Sequence, residues 1–392
     1  MFFEEGVSIL MEGVRYFHKN YKNIYGQMAL RFDDETYLMT GGNKLLHEIT
    51  PLDITACDIS TGDLGKLFTD KPDFNVFIFG CTQAAVEASK DKDFLPVALD
   101  DMAHLAGSKV KIVPDANPET LLKAFSDTNV CLVKGVGFTV VSDTIWHAAA
   151  SAQIVEKSCE AFVHGKLLGG IVPIDAKVAD ALHSDYINSY MDANKNSITD
   201  YISFNEESYD LRNSLKKTCD TLINDELIFG SWGNVSARLD YETFLITPTA
   251  INTLDMKPEE FTRVEIKKLR ALDHMKPSGS AYLHAKMYQE IPGCNAIIHT
   301  HSNACSIFAA CAAGFAINDP TMRQLIGDVK LIPFIHESKK RMADKVVSLM
   351  QDTHAAIMAN QGAIFYGPSL EVVLEVAESI ETLAQKLLNL SN

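Results

Sequence analysis

The chain repeats itself, and that repeat limits what it can fold into more than any other feature. Gly233-Asn234-Val235-Ser236-Ala237-Arg238, followed by residues 241–248 (YETFLITP), has a counterpart 207 positions upstream in Gly26-Gln27-Met28-Ala29-Leu30-Arg31 and residues 35–40 (ETYLMT). Asn75-Val76-Phe77-Ile78-Phe79 matches Asn295-Ala296-Ile297-Ile298-His299 at an offset of 220. Residues 107–114 (GSKVKIVP) match 327–333 (GDVKLIP), and residues 127–137 (DTNVCLVKGVG) match 352–362 (DTHAAIMANQG) at an offset of 225. Whatever one copy folds into, the other must fold into as well. We place the domains at 1–195 and 196–392, joined by a link spanning roughly 165–206 whose segment 192–200 (DANKNSITD) is polar and turn-rich. The step from 207 to 220 predicts that copy one lacks a helix, and the loop that starts it, between Ile59 and Asn75.

Within copy two the patterns alternate. An amphipathic helix is predicted over 209–227, strands over 235–239 and 243–247, and a helix opening at Ser278 or Ser280, whose hydroxyls suit an N-cap. A short apolar strand over 296–299 and a small-residue helix over 302–313 follow. Next come a strand over 329–333, a helix over 338–352, a hairpin of 355–358 with 363–366, and a final helix over 368–388. Helices on both faces of a central sheet satisfy this order, giving an α/β class with three α/β/α layers per copy. Hairpin-connected strands predict a sheet that is mainly antiparallel or mixed.

Composition narrows the function. A formal net charge of -16 argues against nucleic acid or an anionic membrane as partner. A small anion remains open, because backbone N–H groups bind phosphate without net positive charge. Eight cysteines with no C-x-x-C pair, mostly in apolar runs, read as buried free thiols of a reducing compartment. The N-terminus is acidic where a signal peptide would be basic, so a cytoplasmic protein is expected.

Chemistry concentrates in copy two. His299 and His301 lie two apart at the end of an apolar strand, so their imidazoles face the same way and suit one divalent metal. The matching residues of copy one are Phe79 and Cys81. Copy one is therefore expected to be a degenerate domain without a metal site.

The ordered segments GNVSAR, LITPT, PSGS and NAIIHTHS resemble the class II aldolase/adducin family, which includes L-fuculose-1-phosphate aldolase. The resemblance covers nearly all of 208–392 and, degraded, about 10–165. It implies Zn²⁺ or another divalent ion on His299 and His301, with Gln361 at the third ligand position in place of the family's His. Ser280 stands at the family's catalytic carboxylate position, so the base is expected from elsewhere: His336, Glu337 or the neighbouring copy. Asn234, Thr249, Ala250, Ser278 and Gly279 occupy the sugar-phosphate positions, Ala250 replacing a Gly and Gly279 a Ser. The resemblance further implies a metal-dependent lyase acting on a small phosphorylated sugar or keto compound. It also implies a homo-oligomer, in which a dimer of this chain imitates a tetramer. The alternatives are a non-catalytic adducin-like scaffold, or a different metal-dependent isomerase or decarboxylase in the same pocket.

Overall fold

The computed structural model describes residues 3–18, 24–42, 44–190, 193–194 and 206–390. The predicted boundary near residue 195 lies outside the described residues, as does most of 192–200. The chain forms two compact units. One contains Met1–Val97, Asp101–Val163 and Asp175–His183; the other contains Ala98–Asp100, His164–Ile174 and Ser184–Asn392.

The first unit is built on strands β1 (Tyr25–Arg31), β2 (Thr36–Thr40), β3 (Ile54–Asp58), β4 (Val76–Cys81), β5 (Phe94–Pro96), β6 (Lys109–Val113), β7 (Val130–Val133) and β8 (Gly137–Ser142). They hydrogen-bond in the order β3-β2-β1-β4-β8-β7-β6-β5. The second unit has β9 (Asn234–Arg238), β10 (Thr243–Ile246), β11 (Thr262–Glu265), β12 (Ala296–Thr300), β13 (Lys330–Ile332), β14 (Ala355–Met358) and β15 (Gly362–Gly367). Their order is β11-β10-β9-β12-β15-β14-β13. Apart from β5 the two orders correspond strand for strand. Each sheet is antiparallel except for one parallel pair, β6 with β7 and β13 with β14. The predicted mixed α/β class is thus observed in both units.

In the second unit, helices Ala281–Glu290 and Lys339–Leu349 pack on one face of the sheet. Leu283, Met287, Ala343 and Val346 meet Ile297, Ile332, Ile364 and Tyr366 there, all buried. Helices Glu206–Asn224, Asn303–Ala310 and Leu370–Leu387 form a second packed group, and the last two contact β15. Strand alternation then sends Ile297 and His299 towards the Ala281–Glu290 helix, and Ile298 and Thr300 away from it.

Two local expectations change. Ser280 is the N-cap residue of helix Ala281–Glu290, but its side chain makes no capping bond there. The Ser278 hydroxyl instead accepts from Ser280 N at 3.3 Å. Copy one also keeps a helix where none was predicted, the short Gly65–Asp70. Six residues are too few to show helical periodicity, but the helix is held as its counterpart is. Arg31 lies over the Phe68 ring at 5.2 Å and donates to Phe68 O. Arg238 lies over the Tyr288 ring at 5.0 Å and donates to Tyr288 O. Phe68 and Tyr288 are 220 positions apart, the repeat offset, so the 13-residue deletion shortened this helix and left its aromatic anchor in place.

Candidate functional site

A polar ladder between β9 and the helix Ala281–Glu290 frames the site. Asn234, Ser236 and Arg238 face one way along the strand, and residues 280, 284 and 288 succeed each other along one stripe of the helix. The Asn234 amide donates to Ser280 Oγ at 3.3 Å. Ser236 Oγ pairs with His284 Nδ1 at 2.7 Å and with the Tyr288 hydroxyl at 2.6 Å. His284 is fully buried, and burial pushes its imidazole down to about 3, so it stays neutral. Its bond to Ser236 ties the helix that follows Ser280 to β9.

His299 pairs with Asn234 in the β12–β9 register. Its Nδ1 lies 3.4 Å from the Asn234 amide, and its Nε2 donates to the Gln361 carbonyl at 3.0 Å. The His299 and His301 ring centroids are 5.0 Å apart, and both residues are 6% exposed. Asp100, which belongs to the same unit, brings Oδ1 to 3.9 Å from His301 Nδ1. The ligand atoms of Asp100 and His301 lie within 4.8 Å of each other, whereas His299 stands outside that range; imidazole and carboxylate are the donor types that suit a divalent ion of the zinc type. An ion on His299 Nε2 would take the place of its hydrogen bond to Gln361.

The remaining predicted residues divide into two groups. Thr249 and Ala250 lie in a turn zipped to residues 276–278. Thr249 Oγ1 donates to Pro277 O at 2.7 Å, and Ser278 N donates to Thr247 O at 3.0 Å. Asn194 closes the same turn, donating to Thr249 O at 2.7 Å and accepting from Lys276 N at 2.8 Å. Ala250 adopts φ 58°, the left-handed conformation that its family glycine would take without strain. A Cβ on Gly279 would meet nothing within 4 Å, so this position opens onto free space. His336 and Glu337, by contrast, are exposed on the segment after β13. The His336 ring stacks on Phe334 at 5.7 Å. The Glu337 carboxyl sits below its ordinary range, held by its own backbone N–H and by the nearby His336 and Arg341. None of their described contacts reaches the histidine pair.

Three neighbours escaped the sequence reading. Asp100 sits in Leu99-Asp100-Asp101, which looks like an ordinary acidic helix start. Asn360 looks like a turn residue. Tyr190 falls in the link; it stacks on Tyr186, which stacks on Trp232 beside the Gly233-Asn234 turn. Burial pushes the Tyr190 phenol up, and the nearby Asp100 charge adds to this.

The Class II Aldolase and Adducin N-terminal domain family model matches residues 16–163 and again 213–388, so the chain belongs to this family and carries its domain twice. Among its relatives is a 3-oxo-tetronate 4-phosphate decarboxylase of Escherichia coli O6:H1, 28% identical over 181 residues, covering 45% of this chain and 84% of that protein. An L-fuculose phosphate aldolase of Methanococcus maripaludis is 25% identical over 169 residues, covering 43% and 91%. Among solved structures, YgbL from Escherichia coli matches at 24% identity and a TM-score of 0.42, covering 47% of this chain and 91% of that one. No helix among the described residues is long and apolar enough to cross a membrane.

Proposed function

We propose that the second unit is a metal-dependent carbon–carbon lyase acting on a small phosphorylated keto compound. The observation that carries the reading is the convergence of His299, His301, Asn234 and Ser280 at one end of the β9–β12 pair. A divalent ion held by the two histidines would act as a Lewis acid on the substrate carbonyl. Asn234 and Ser280 offer neutral hydrogen bonds. Asn234 Oδ1 is buried without a partner, an acceptor that a substrate hydroxyl would complete. Thr249, Ser278 and Gly279 would form the anion end; the Thr249 turn is held closed by bonds to residues 276–277, and the Ser278 hydroxyl and Gly279 N–H are the donors suited to a phosphate without adding charge.

Ser280 favours one member of this class. A hydroxyl cannot replace a carboxylate as general base. Retro-aldol cleavage must begin by removing a hydroxyl proton. A 3-oxo acid loses CO₂ without that step: the bond between carboxylate and C2 breaks, its electron pair forms the enolate, and C2 then takes a proton. Decarboxylation of a phosphorylated 3-oxo acid is therefore the preferred reaction, with aldol cleavage second. The test is CO₂ release from 3-oxo-tetronate 4-phosphate, run beside cleavage of L-fuculose 1-phosphate, on zinc-loaded and chelated protein. His299→Ala is expected to lower turnover by about a thousandfold, the loss of a Lewis acid. Bound zinc with no turnover of either substrate class would favour the scaffold alternative. No bound zinc would end the lyase reading.

A further inference from the structure

The metal reading leaves a third ligand position, which alignment with the family gives to Gln361. We propose that Asp100 supplies this ligand through its carboxylate, and that Gln361 holds that carboxylate rather than the metal. The proposal rests on the reading of His299 and His301 as metal ligands, and every residue it uses belongs to the second unit.

The first argument is distance. Asp100 Oδ1 and His301 Nδ1 are 3.9 Å apart, too far for a hydrogen bond. Two ligand atoms each at zinc distance from a tetrahedral ion sit about 3.4 Å apart. The observed separation is about half an ångström longer than that, within reach of a shared ion.

The second argument is what Gln361 does. Its Nε2 donates to Asp100 Oδ2 at 3.3 Å, so the amide turns an N–H towards the carboxylate. Its backbone carbonyl accepts from His299 Nε2 at 3.0 Å. The side-chain amide therefore acts on the carboxylate, and the carbonyl bond is the one that an ion on His299 Nε2 would displace. A residue that lost the family's imidazole has become the group that orients the replacement.

The third argument is preorganisation. Asn360, 4% exposed and at φ 63°, grips the segment that carries Asp100. Its carbonyl accepts from Asp100 N at 2.8 Å, and its amide donates to Ala98 O at 2.7 Å and to Val172 O at 2.9 Å. Asp100 and Gln361 are 261 positions apart in sequence, yet this clamp fixes one against the other. The fourth argument is charge. Two neutral imidazoles and a neutral amide would leave a nearly buried dication unbalanced, whereas a carboxylate offsets part of its charge.

The test is zinc affinity of the full chain, measured by competition with a chromophoric chelator, with stoichiometry from elemental analysis. Asp100→Asn keeps the shape and can still accept a hydrogen bond from an imidazole, but it offers only a neutral amide. It should weaken zinc binding by about a thousandfold, the scale of a lost charged ligand. Gln361→Ala should weaken it only about tenfold, as loss of an orienting partner does. With Co²⁺ at saturation, Asp100→Asn should alter the visible absorption bands and Gln361→Ala should preserve them. Thermal melts without metal check that each variant folds, and Asp100→Ser carries the same prediction if Asp100→Asn does not. Wild-type affinity in Asp100→Asn, or a larger loss in Gln361→Ala, would overturn the assignment while leaving the histidine site standing. A wild-type chain that binds no zinc, or a His299→Ala variant that still does, would overturn both readings.

Discussion

The seam between β1 and the helix Gly65–Asp70 and the seam between β9 and the helix Ala281–Glu290 are the same joint built from different materials. In the first, Ala29, Leu64 and Phe68 meet in an apolar cluster. At the corresponding repeat positions the second has Ser236, His284 and Tyr288, tied by hydrogen bonds of 2.7 and 2.6 Å. Even the aromatic hydroxyl changes sides: Tyr37 packs on Phe68 with centroids 5.2 Å apart, and Phe244 packs on Tyr288 at the same distance. The arginine anchor is common to both. Shape and volume are what the fold requires, so both copies keep them. The hydrogen bonds joining Ser236, His284 and Tyr288 belong to the second seam, where the Asn234 amide also donates to Ser280.

The ends of β4 and β12 differ in the same manner. Gly80 pairs with Phe138, and a Cβ on Gly80 would lie 2.4 Å from the Phe138 ring. Thr300 pairs with Ala363. One pair is small beside large and the other is intermediate beside small, so the first copy fills with an aromatic ring the level at which the second sets its histidines. Cys81, at the place of His301, has its thiol pushed up by burial, which suits packing rather than ligation.

The strongest way to break the comparison is to change the seam itself. His284→Ala should cost about 3–5 kcal/mol, from a cavity plus the loss of one of the two hydrogen bonds of the Ser236 hydroxyl. The triple variant Ser236→Ala, His284→Leu, Tyr288→Phe, which copies the first seam, should stay within about 1 kcal/mol of wild type, because both partners are replaced together. Denaturant unfolding followed at Trp232 reads both, and a triple variant weaker than His284→Ala would show that the seams are not interchangeable.

A second effect separates the units by pH. Burial and the neighbouring Glu160 push Glu156 up to about 8, from an ordinary 4.5. Its folded-state pKa is raised, so its contribution is complete below about 4.5 and is lost as pH rises through about 8. His284 is lowered from 6.5 to about 3, so its contribution is present above 6.5 and is lost as pH falls towards 3. The two tryptophans, Trp146 and Trp232, fall one in each unit. Melts of Trp232→Phe and Trp146→Phe variants should therefore show the first unit weakening on the alkaline side and the second on the acid side. Glu156→Gln should flatten the first profile, shifting its alkaline Tm by about 3 °C; an unchanged profile would remove Glu156 as the cause.

The smallest effect lies at residue 250. Ala250→Gly should stabilise the second unit by about 0.5–1 kcal/mol by relieving the left-handed alanine, whereas other turn residues changed to Gly should destabilise it. A loss of stability would mean that the Ala250 methyl group packs favourably enough to offset its strain.

Much of this was legible in the sequence because it is periodic or local. The strand predicted at 355–358 is observed as Ala355–Met358, and the H-x-H spacing placed two imidazoles on one face. Long-range closure was not legible. Nothing near Asp100 marks it as a neighbour of Gln361, and nothing near Asn194 marks it as the clasp of the Thr249 turn. The helix Gly65–Asp70 was missed because a deletion removes pattern before it removes structure. Both copies also keep a buried glutamate on the last helix. Glu381 accepts from Ala304 and Cys305 N–H at 2.7 and 3.0 Å and so caps the helix after β12, while Glu156 receives the Thr82 hydroxyl. They are 225 positions apart, the repeat offset, yet neither was readable as a cap from its own neighbourhood.

The clamp formed by Asn360 has a consequence for how such a chain can evolve. Duplicated genes are often treated as reversible, since either half can be shed when it is no longer used. Here the second unit has taken three residues, Ala98–Asp100, out of the first repeat and hydrogen-bonded them to its own hairpin. Deleting the first repeat would remove backbone that the second unit uses. Three residues of backbone thus tie the copy with Phe79 and Cys81 to the copy with His299 and His301.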